Sequence, residues 1–271
     1  MKMSVRAAVL AVFACCPLVG MPVAWSEVLV DYNLTAIVTS SASPAVSAPA
    51  TTVATGVTAS DITRGPGLAP FNLTRGFSSQ GWNNSGTTAT TRADAISGNK
   101  YYTFALTIAP GSTASFSDIS VGLYKSAITS PASMEWQYSL DNFVTTGSTL
   151  TTFNHLGRNS GTPPGTVTPF QWMTTDTPGQ SNGNITPALD ISTVSPLQNL
   201  AGPATVTFRL YGWGSINGNA TTPTNTLALG RDNGPLINGI ITTVPEPASI
   251  CLVATAVGIG GVLRARRRRE D

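Results

Sequence analysis

Few side chains in this sequence could carry out nucleophilic or acid–base catalysis. His155 is the single histidine among 271 residues, so a serine or cysteine nucleophile with a histidine base would have to use it. It lies between Phe153 and Gly157, where the pattern predicts the end of a strand entering a loop. No serine stands in the elbow motif that presents a nucleophile in hydrolases. We therefore expect a solvated loop histidine, no catalytic site and no enzyme activity.

The positions of the cysteines exclude disulfide bonds and thiolate metal sites from the central part of the chain. Cys15 and Cys16 lie in an apolar segment near the amino terminus, and Cys251 lies in another near the carboxyl terminus. With no central cysteine and one histidine, zinc is set aside, and packing must supply the stability. Residues 12–15 loosely resemble a lipoprotein cleavage site, and lipidation stays open as an alternative.

Calcium is the one cofactor for which the sequence offers ligands. Ca²⁺ prefers carboxylate and carbonyl oxygens, and four aspartates could supply them: Asp118, Asp141, Asp190 and Asp232. No spaced acidic motif joins these residues, and capping of turns is the alternative role for each. Glycan hydrolysis would need two carboxylates in one cleft, and nothing beyond the acids themselves supports it. We predict no cofactor, with a structural calcium ion as the alternative.

Tryptophans raise the possibility of sugar binding, because an exposed indole ring can stack on a sugar. Trp82 and Trp172 have polar neighbours typical of loops, so they are the candidate glycan contacts. Covering the edge of the core is the favoured role for both rings, and the glycan contact is the speculative one. Trp136 and Trp213 lie in strand-like patterns and are predicted to belong to the core.

The carboxyl-terminal end carries a motif that a processing enzyme could recognise. Val244, Pro245, Glu246 and Pro247 come first. A proline on each side of the glutamate biases the motif toward an extended, exposed peptide. Residues 248–263 follow as an apolar run, which as a helix would span about 24 Å and lies at the short end of transmembrane lengths. We predict a transmembrane helix there.

A cluster of arginines follows the apolar run and predicts its orientation: Arg264, Arg266, Arg267, Arg268 and Arg269. Such a cluster is retained in the cytoplasm by the positive-inside rule. The residues before Val244 are then expected on the far side of the membrane.

The amino terminus predicts export independently. Lys2 and Arg6 precede an apolar core over residues 7–20, and small residues at Ala24 and Ser26 favour cleavage by signal peptidase between Ser26 and Glu27. We therefore predict three parts: a signal peptide (1–26), an exported domain (27–243) and a sorting tag (244–271).

The motif, apolar run and arginine cluster, in this order, resemble the PEP-CTERM sorting tag of exported bacterial proteins. Pro245, Glu246 and Pro247 match its motif, and residues 264–269 match its basic end. The resemblance implies recognition by an exosortase, a membrane-embedded thiol-dependent transpeptidase, in bacteria that also make exopolysaccharide. It implies processing near the motif and delivery to the cell surface or extracellular matrix of a biofilm. A plain membrane anchor that nothing cleaves is the alternative.

The charge of the exported domain excludes a nucleic-acid partner. It holds eight basic and ten acidic residues, because the other seven basic residues lie in the two end segments. A slightly acidic domain gives no indication of the basic surface that binds phosphates. The expected partners are signal peptidase and exosortase during export, the membrane through residues 248–263, and exopolysaccharide if the tryptophans bind it.

The exported domain shows strand and turn patterns and no sustained helical period. Alternation or β-branched runs occur at 28–38, 101–108, 116–123, 134–140, 206–210 and 236–241. Pro110 and Gly111 predict a hairpin between the second and third of these. The pattern at 134–140 predicts one buried face, formed by Met134, Trp136, Tyr138 and Leu140. We predict an all-β fold, a β-sandwich of the jelly-roll type.

Overall fold

The computed structural model describes residues 26–37, 43–83, 90–125, 130–155, 171–172, 184–215, 226–230 and 233–243. In these ranges the chain is mostly β-strand, with one short α-helix and one 3₁₀ turn at Ser195–Leu197. The elements are β1 Glu27–Asn33, β2 Thr52–Val53, β3 Val57–Ala59, β4 Thr63–Arg64, β5 Ala69–Phe71, β6 Gly76–Gln80, α1 Arg92–Ser97, β7 Tyr101–Ile108, β8 Ser112–Ser120, β9 Gly122–Lys125, β10 Ser133–Ser139, β11 Ser148–His155, β12 Gln171–Trp172, β13 Asn184–Ile185, β14 Leu189–Asp190, β15 Leu200–Ala201, β16 Ala204–Trp213, β17 Leu227–Gly230 and β18 Asn233–Thr243.

The strands form three sheets, and the all-β prediction is confirmed. The first sheet has the order β14-β8-β18-β1-β2, with β15 also paired to β8. The second has the order β12-β11-β10-β16-β7-β3, with β4 also paired to β7, and the third is β13-β9-β17-β6-β5. All pairings among these strands are antiparallel except β11 with β12. Strands distant in sequence are neighbours, as where Tyr101 of β7 lies opposite Tyr211 of β16.

Aromatic contacts join the first sheet to the second through one apolar core. Tyr32 of β1 packs on Phe104 of β7 with ring centroids 5.1 Å apart, and Phe116 of β8 packs on Phe208 of β16 at 5.9 Å. The core also takes Leu227 from the third sheet. We call the side of the second sheet that carries Phe104 and Phe208 its inner face. Burial of this apolar surface is the main stabilising contribution to the fold.

The predicted hairpin across Pro110 and Gly111 is wrong. Both strands exist, but β7 pairs with β16, β3 and β4, whereas β8 pairs with β18, β14 and β15. The turn, in which Gly111 has a φ of 75°, therefore takes the chain from the second sheet to the first. An alternating pattern identifies which face of a strand is buried and does not identify its partner.

The prediction of one buried face at 134–140 is also wrong. Residues Ser133–Ser139 of β10 are all buried, and Leu140 is 46% exposed beyond the end of the strand. The reason is that the outer face of the second sheet is covered by the helix α1, which the sequence interpretation missed, and by the turn after β10 that carries Phe143. Thr91 begins this helix in a capping box with Asp94, a pairing that satisfies orphan backbone donors at a helix start.

Candidate functional site

The two predicted processing points flank the described part of the chain. Residues 1–25 and the whole tag at 244–271 lie outside the described residues, which include no helix long and apolar enough to cross a membrane. Glu27 begins β1 and lies opposite Gly239 of β18, which continues to Thr243. Four further residues of a strand cover about 13 Å. Glu27 and Thr243 therefore lie toward the same end of the first sheet.

Trp82 takes the core role that the sequence analysis favoured, and the speculative glycan contact is wrong because the ring is not available to stack on a sugar. Its side chain is 0% exposed. The ring packs against Tyr102 at a centroid distance of 5.4 Å, and its Nε1–H donates to the carbonyl of Ser79 at 2.9 Å. A Cβ added to Gly212 would stand 3.0 Å from the indole. The absence of a side chain at Gly212 in β16 makes room for Trp82, whose polar sequence neighbours gave no sign of this.

The other tryptophans divide into two groups. Trp136 and Trp213 are 2% and 7% exposed, which confirms their prediction as core residues. The backbone of Trp172 lies opposite that of His155 where β12 runs parallel to β11. The side chains of both residues lie outside the described part, so a glycan contact at Trp172 stays a prediction.

The aspartates proposed as calcium ligands do not all lie together: Asp118 and Asp190 are neighbours on the first sheet, and Asp141 lies in the turn after β10. Asp118 of β8 lies opposite both Asp190 of β14 and Asn238 of β18, whose Nδ2 donates to its Oδ1 at 2.9 Å. The amide of Ser192 donates to Asp190 Oδ1 at 2.9 Å, and hydrogen bonds from Ser192 lower the pKa of Asp190. Asp232 lies outside the described residues.

Asp141 takes the turn role that the sequence analysis gave as the alternative to calcium binding. It accepts hydrogen bonds from the hydroxyls of Ser139 and Thr145, at 2.5 and 2.6 Å. These bonds lower its pKa to about 2. Among the described residues, no three histidine, cysteine or acidic side chains are placed to share a metal ion.

A cleft of about 380 Å³ opens between the edge of the first sheet and the second sheet. Its apolar lining is Ile119 and Leu189 from the first sheet and Trp136 and Phe153 from the second, and its polar lining is Thr151, Thr186 and Asp190. Trp136 and Thr151 lie opposite each other on β10 and β11, so their side chains share the inner face. This volume and mixture are typical of a site for a small ligand with an apolar side.

The outer face of the second sheet carries an ion pair between a buried glutamate and a half-exposed arginine, which the sequence interpretation missed. Glu135, which is 1% exposed, binds Arg92 of α1 in a bidentate manner, with both nitrogen-to-oxygen distances at 2.6 Å. Gln137 and Thr149 also donate to its Oε1. Burial alone raises the pKa of Glu135, but the three hydrogen-bonding partners outweigh burial and leave that pKa below its ordinary value. No sequence spacing connects Arg92 to Glu135.

Arg209 stacks between two aromatic rings on the same outer face. Its guanidinium carbon lies 4.1 Å from the ring centroid of Tyr101 and 3.9 Å from that of Phe143. Its Nη1 donates to the hydroxyl of Tyr211 at 3.3 Å, while its buried Nε has no hydrogen-bond partner among the described residues. Phe143 belongs to the turn after β10, so the stack holds that turn against the sheet.

These contacts define the class of protein: an all-β protein of mostly antiparallel sheets, with a cleft at one side and an outer face that carries an ion pair and an aromatic-stacked arginine. In the described residues the charged groups of this outer face are engaged in packing and hydrogen bonding. Comparison with family models, curated proteins and solved structures returns no match for the chain.

Proposed function

We propose that this chain is a non-enzymatic exported protein of the cell surface or extracellular matrix, sorted by an exosortase through its carboxyl-terminal Pro-Glu-Pro tag. The observation that carries the proposal is the order of the last residues: motif at 244–247, apolar run at 248–263 and arginines at 264–269. A signal peptide at 1–26 would begin the export, and signal peptidase and exosortase would be the processing partners. The precursor would be anchored in the inner membrane with its domain in the periplasm.

The positions of the two ends of the domain support this route. Glu27 and Thr243 lie toward the same end of the first sheet, so a signal peptide and a membrane tag would leave the domain on one side. A domain that rests on one membrane surface needs this arrangement, because both apolar segments must reach the same bilayer. If the two ends of the domain lay on opposite sides of it, a long linker would be needed to bring both apolar segments to the same membrane.

The finer fold that we propose is a β-sandwich of the jelly-roll type, formed by the first and second sheets. Contacts such as Tyr32 with Phe104 and Phe116 with Phe208 support face-to-face packing. Strand pairing between distant segments supports Greek-key connections, as between β1 and β18. The proposed role of this body is structural or adhesive.

Mass spectrometry of the mature protein from its bacterial host tests the sorting proposal. The expected product begins at Glu27 and lacks residues 264–271, and deleting the host's exosortase leaves the precursor intact. Glu246→Ala is expected to block processing, whereas Glu270→Ala, an acid-to-alanine change in the tail, is expected to leave it unchanged. A surface protein that still ends in Asp271 overturns the proposal in favour of an uncleaved anchor.

A second candidate function is binding of exopolysaccharide, and the cleft favours it. Thr151 and Asp190 offer polar atoms beside an apolar wall that includes the buried Trp136 and Phe153, and placed polar groups on an apolar wall are the combination with which pockets hold small ligands. The proposed contact is this cleft, and Trp172 stays open as an additional one. Trp82 takes no part.

Binding measured by affinity electrophoresis against the host's exopolysaccharide tests this candidate. Ala188→Trp is expected to fill the cleft from its exposed rim and abolish binding, because Ala188 lines the cleft but is not buried. Ala201→Trp, an exposed alanine of β15 that does not line the cleft, is the matched control. Equal retardation of both variants, or none for the wild type, excludes the cleft as a glycan site.

A further inference from the structure

The last described strand is still paired at the residue that precedes the sorting motif. β18 continues to Thr243, and Val244 is the next residue. Thr242 and Thr243 are still paired with Thr113 and Ser112 of β8. The folded part and the motif therefore meet with no linker residues between them.

Within the described residues, pairing at this end of β18 is one-sided. β1 begins at Glu27, opposite Gly239, so residues 240–243 extend beyond the start of β1 with β8 as their neighbour. Thr242 and Thr243 are exposed. Besides the backbone ladder, the hydroxyl of Thr242 donates to the carbonyl of Thr113 at 3.4 Å. A strand end with one neighbour and exposed side chains opens at a small cost in free energy.

Ile241 limits how far this end can open. It is partly buried against the main core, and a Cβ added at Gly56 would stand 3.4 Å from its Cγ1. Detaching Ile241 would expose buried apolar surface to water, which costs free energy, whereas detaching the exposed side chains of Thr242 and Thr243 would not. The segment that can leave β8 at low cost is therefore these two threonines.

We propose that the peptide bound by the exosortase begins inside the folded domain, before the motif at residues 244–247. This inference rests on the proposed processing at that motif. Thr242 and Thr243 leave β8 and enter the peptide groove of the membrane-embedded transpeptidase together with the motif. A peptide-binding groove holds an extended chain through its main-chain N–H and C=O groups, and in a sheet these groups are engaged by the neighbouring strand. Without a spacer, the body of the domain would also keep the enzyme away from Val244.

A reversible lock on the strand end tests this proposal in the full-length precursor. Thr113 and Thr242 lie opposite each other, and opposed residues of antiparallel strands have Cα separations of about 4.5 to 5.5 Å, which a disulfide can bridge. Thr113→Cys with Thr242→Cys is made in the chain whose exported domain has no cysteine of its own. Processing is followed by pulse-chase in membranes that contain the exosortase.

The locked precursor is expected to be processed at least about tenfold more slowly than the wild type, with the full rate restored by dithiothreitol. Asp118→Cys with Asn238→Cys is the matched control, because it joins an opposed pair on the same two strands well inside the sheet. Its crosslink leaves the strand end free, so its rate is expected to equal that of the wild type. Inserting Gly-Ser-Gly-Ser between Thr243 and Val244 is expected to restore processing of the locked precursor.

The outcomes separate this inference from the proposed function. If the wild type is processed and the locked form is processed at the same rate as the control, the enzyme does not bind Thr242 and Thr243. Only the inference then fails. If the inserted spacer does not rescue the locked form, the slowing has another cause and the inference also fails. If the wild type is never processed by an exosortase, the proposed function fails, and the inference fails with it.

Discussion

The inner and outer faces of the second sheet are both covered, but by different kinds of contact. On the inner face, Phe208 stacks on Phe104 at 5.5 Å and contacts Phe116 at 5.9 Å. On the outer face, Glu135 is bound by Arg92 of α1 with two distances of 2.6 Å. One face is stabilised by apolar area and shape, and the other by charge pairing and hydrogen bonds.

The difference shows how the two faces of one sheet can contribute in different ways, one to stability and the other to the placement of neighbouring segments. Apolar contacts on the inner face contribute most of the stability, because each buried ring removes a large area from water. The outer contacts contribute less but are directional, since a buried carboxylate requires donors at defined positions. They determine where α1 and the turn after β10 lie on the sheet. The outer face is thus expected to respond to pH, and the inner face is not.

The largest effect is expected from Phe208→Ala on the inner face. Removing a ring that is fully buried between Phe104 and Phe116 leaves a cavity, with an expected loss of about 3 to 5 kcal/mol in the free energy of unfolding. Urea denaturation followed by tryptophan fluorescence measures this. Thr205→Ala on the same strand has an exposed side chain and is the control, with a change of at most about 0.5 kcal/mol. Similar losses for both variants would contradict the importance assigned to the inner face.

The next largest effect is expected from Glu135→Ala on the outer face. The variant loses the hydrogen bonds of a charged acceptor, which predicts a loss of about 2 to 3 kcal/mol, less than for the aromatic ring. A double-mutant cycle with Arg92→Ala isolates the pair. In the Glu135→Ala background, Arg92→Ala is expected to change the unfolding free energy little. Additive losses would show that the two side chains do not act together.

Acid is expected to weaken the outer face selectively. The pKa of Glu135 is lowered in the folded protein, so its contribution is present above the pKa of the unfolded chain and is lost as the pH falls through the lower folded value. Urea midpoints measured between pH 7 and pH 3 should therefore fall less in Glu135→Gln than in the wild type. Parallel pH profiles for the two proteins would contradict the assigned direction.

The smallest effect is expected from Arg209→Met. This change removes the cation between Tyr101 and Phe143 but keeps an unbranched side chain there, and the expected loss is about 1 kcal/mol. Hydrogen exchange at residues 140–147 is expected to accelerate, because the turn is held through Phe143. Exchange in β7 should stay unchanged and serves as the internal control. Unchanged exchange in the turn would indicate that the stack does not hold it.

Alternation in the sequence was enough to predict several strands but not their partners. The run 101–108 coincides with β7, and the patterns near 134–140, 206–210 and 236–241 fall within or close to β10, β16 and β18. The predicted hairpin was wrong because a turn between two alternating strands is compatible with two arrangements. The strands can pair with each other, or the chain can cross from one sheet to another. The helix α1 is too short for a helical period, although Thr91 and Asp94 carried a capping signal that could have identified its start.

The candidate site was less predictable than the fold. Trp82 has polar neighbours in sequence, yet it is buried because Gly212, far along the chain, offers no side chain at the point of contact. The bond between Arg92 and Glu135 also joins residues that are 43 positions apart. No local pattern marks a contact whose partner is determined by strand pairing. The cleft likewise takes its lining from four separate segments.

By itself, the sequence determined the strand periodicity, the lack of cysteine between the two end segments, and the order of motif, apolar run and arginines after Thr243. These are properties of neighbouring residues, set by backbone geometry and hydrophobicity alone. The tertiary structure decided the strand partners, the burial of Trp82, the pairing of Glu135 with Arg92, and the placement of Glu27 opposite Gly239 of β18. These features depend on which distant segments are buried against each other, and a local sequence pattern does not contain that information.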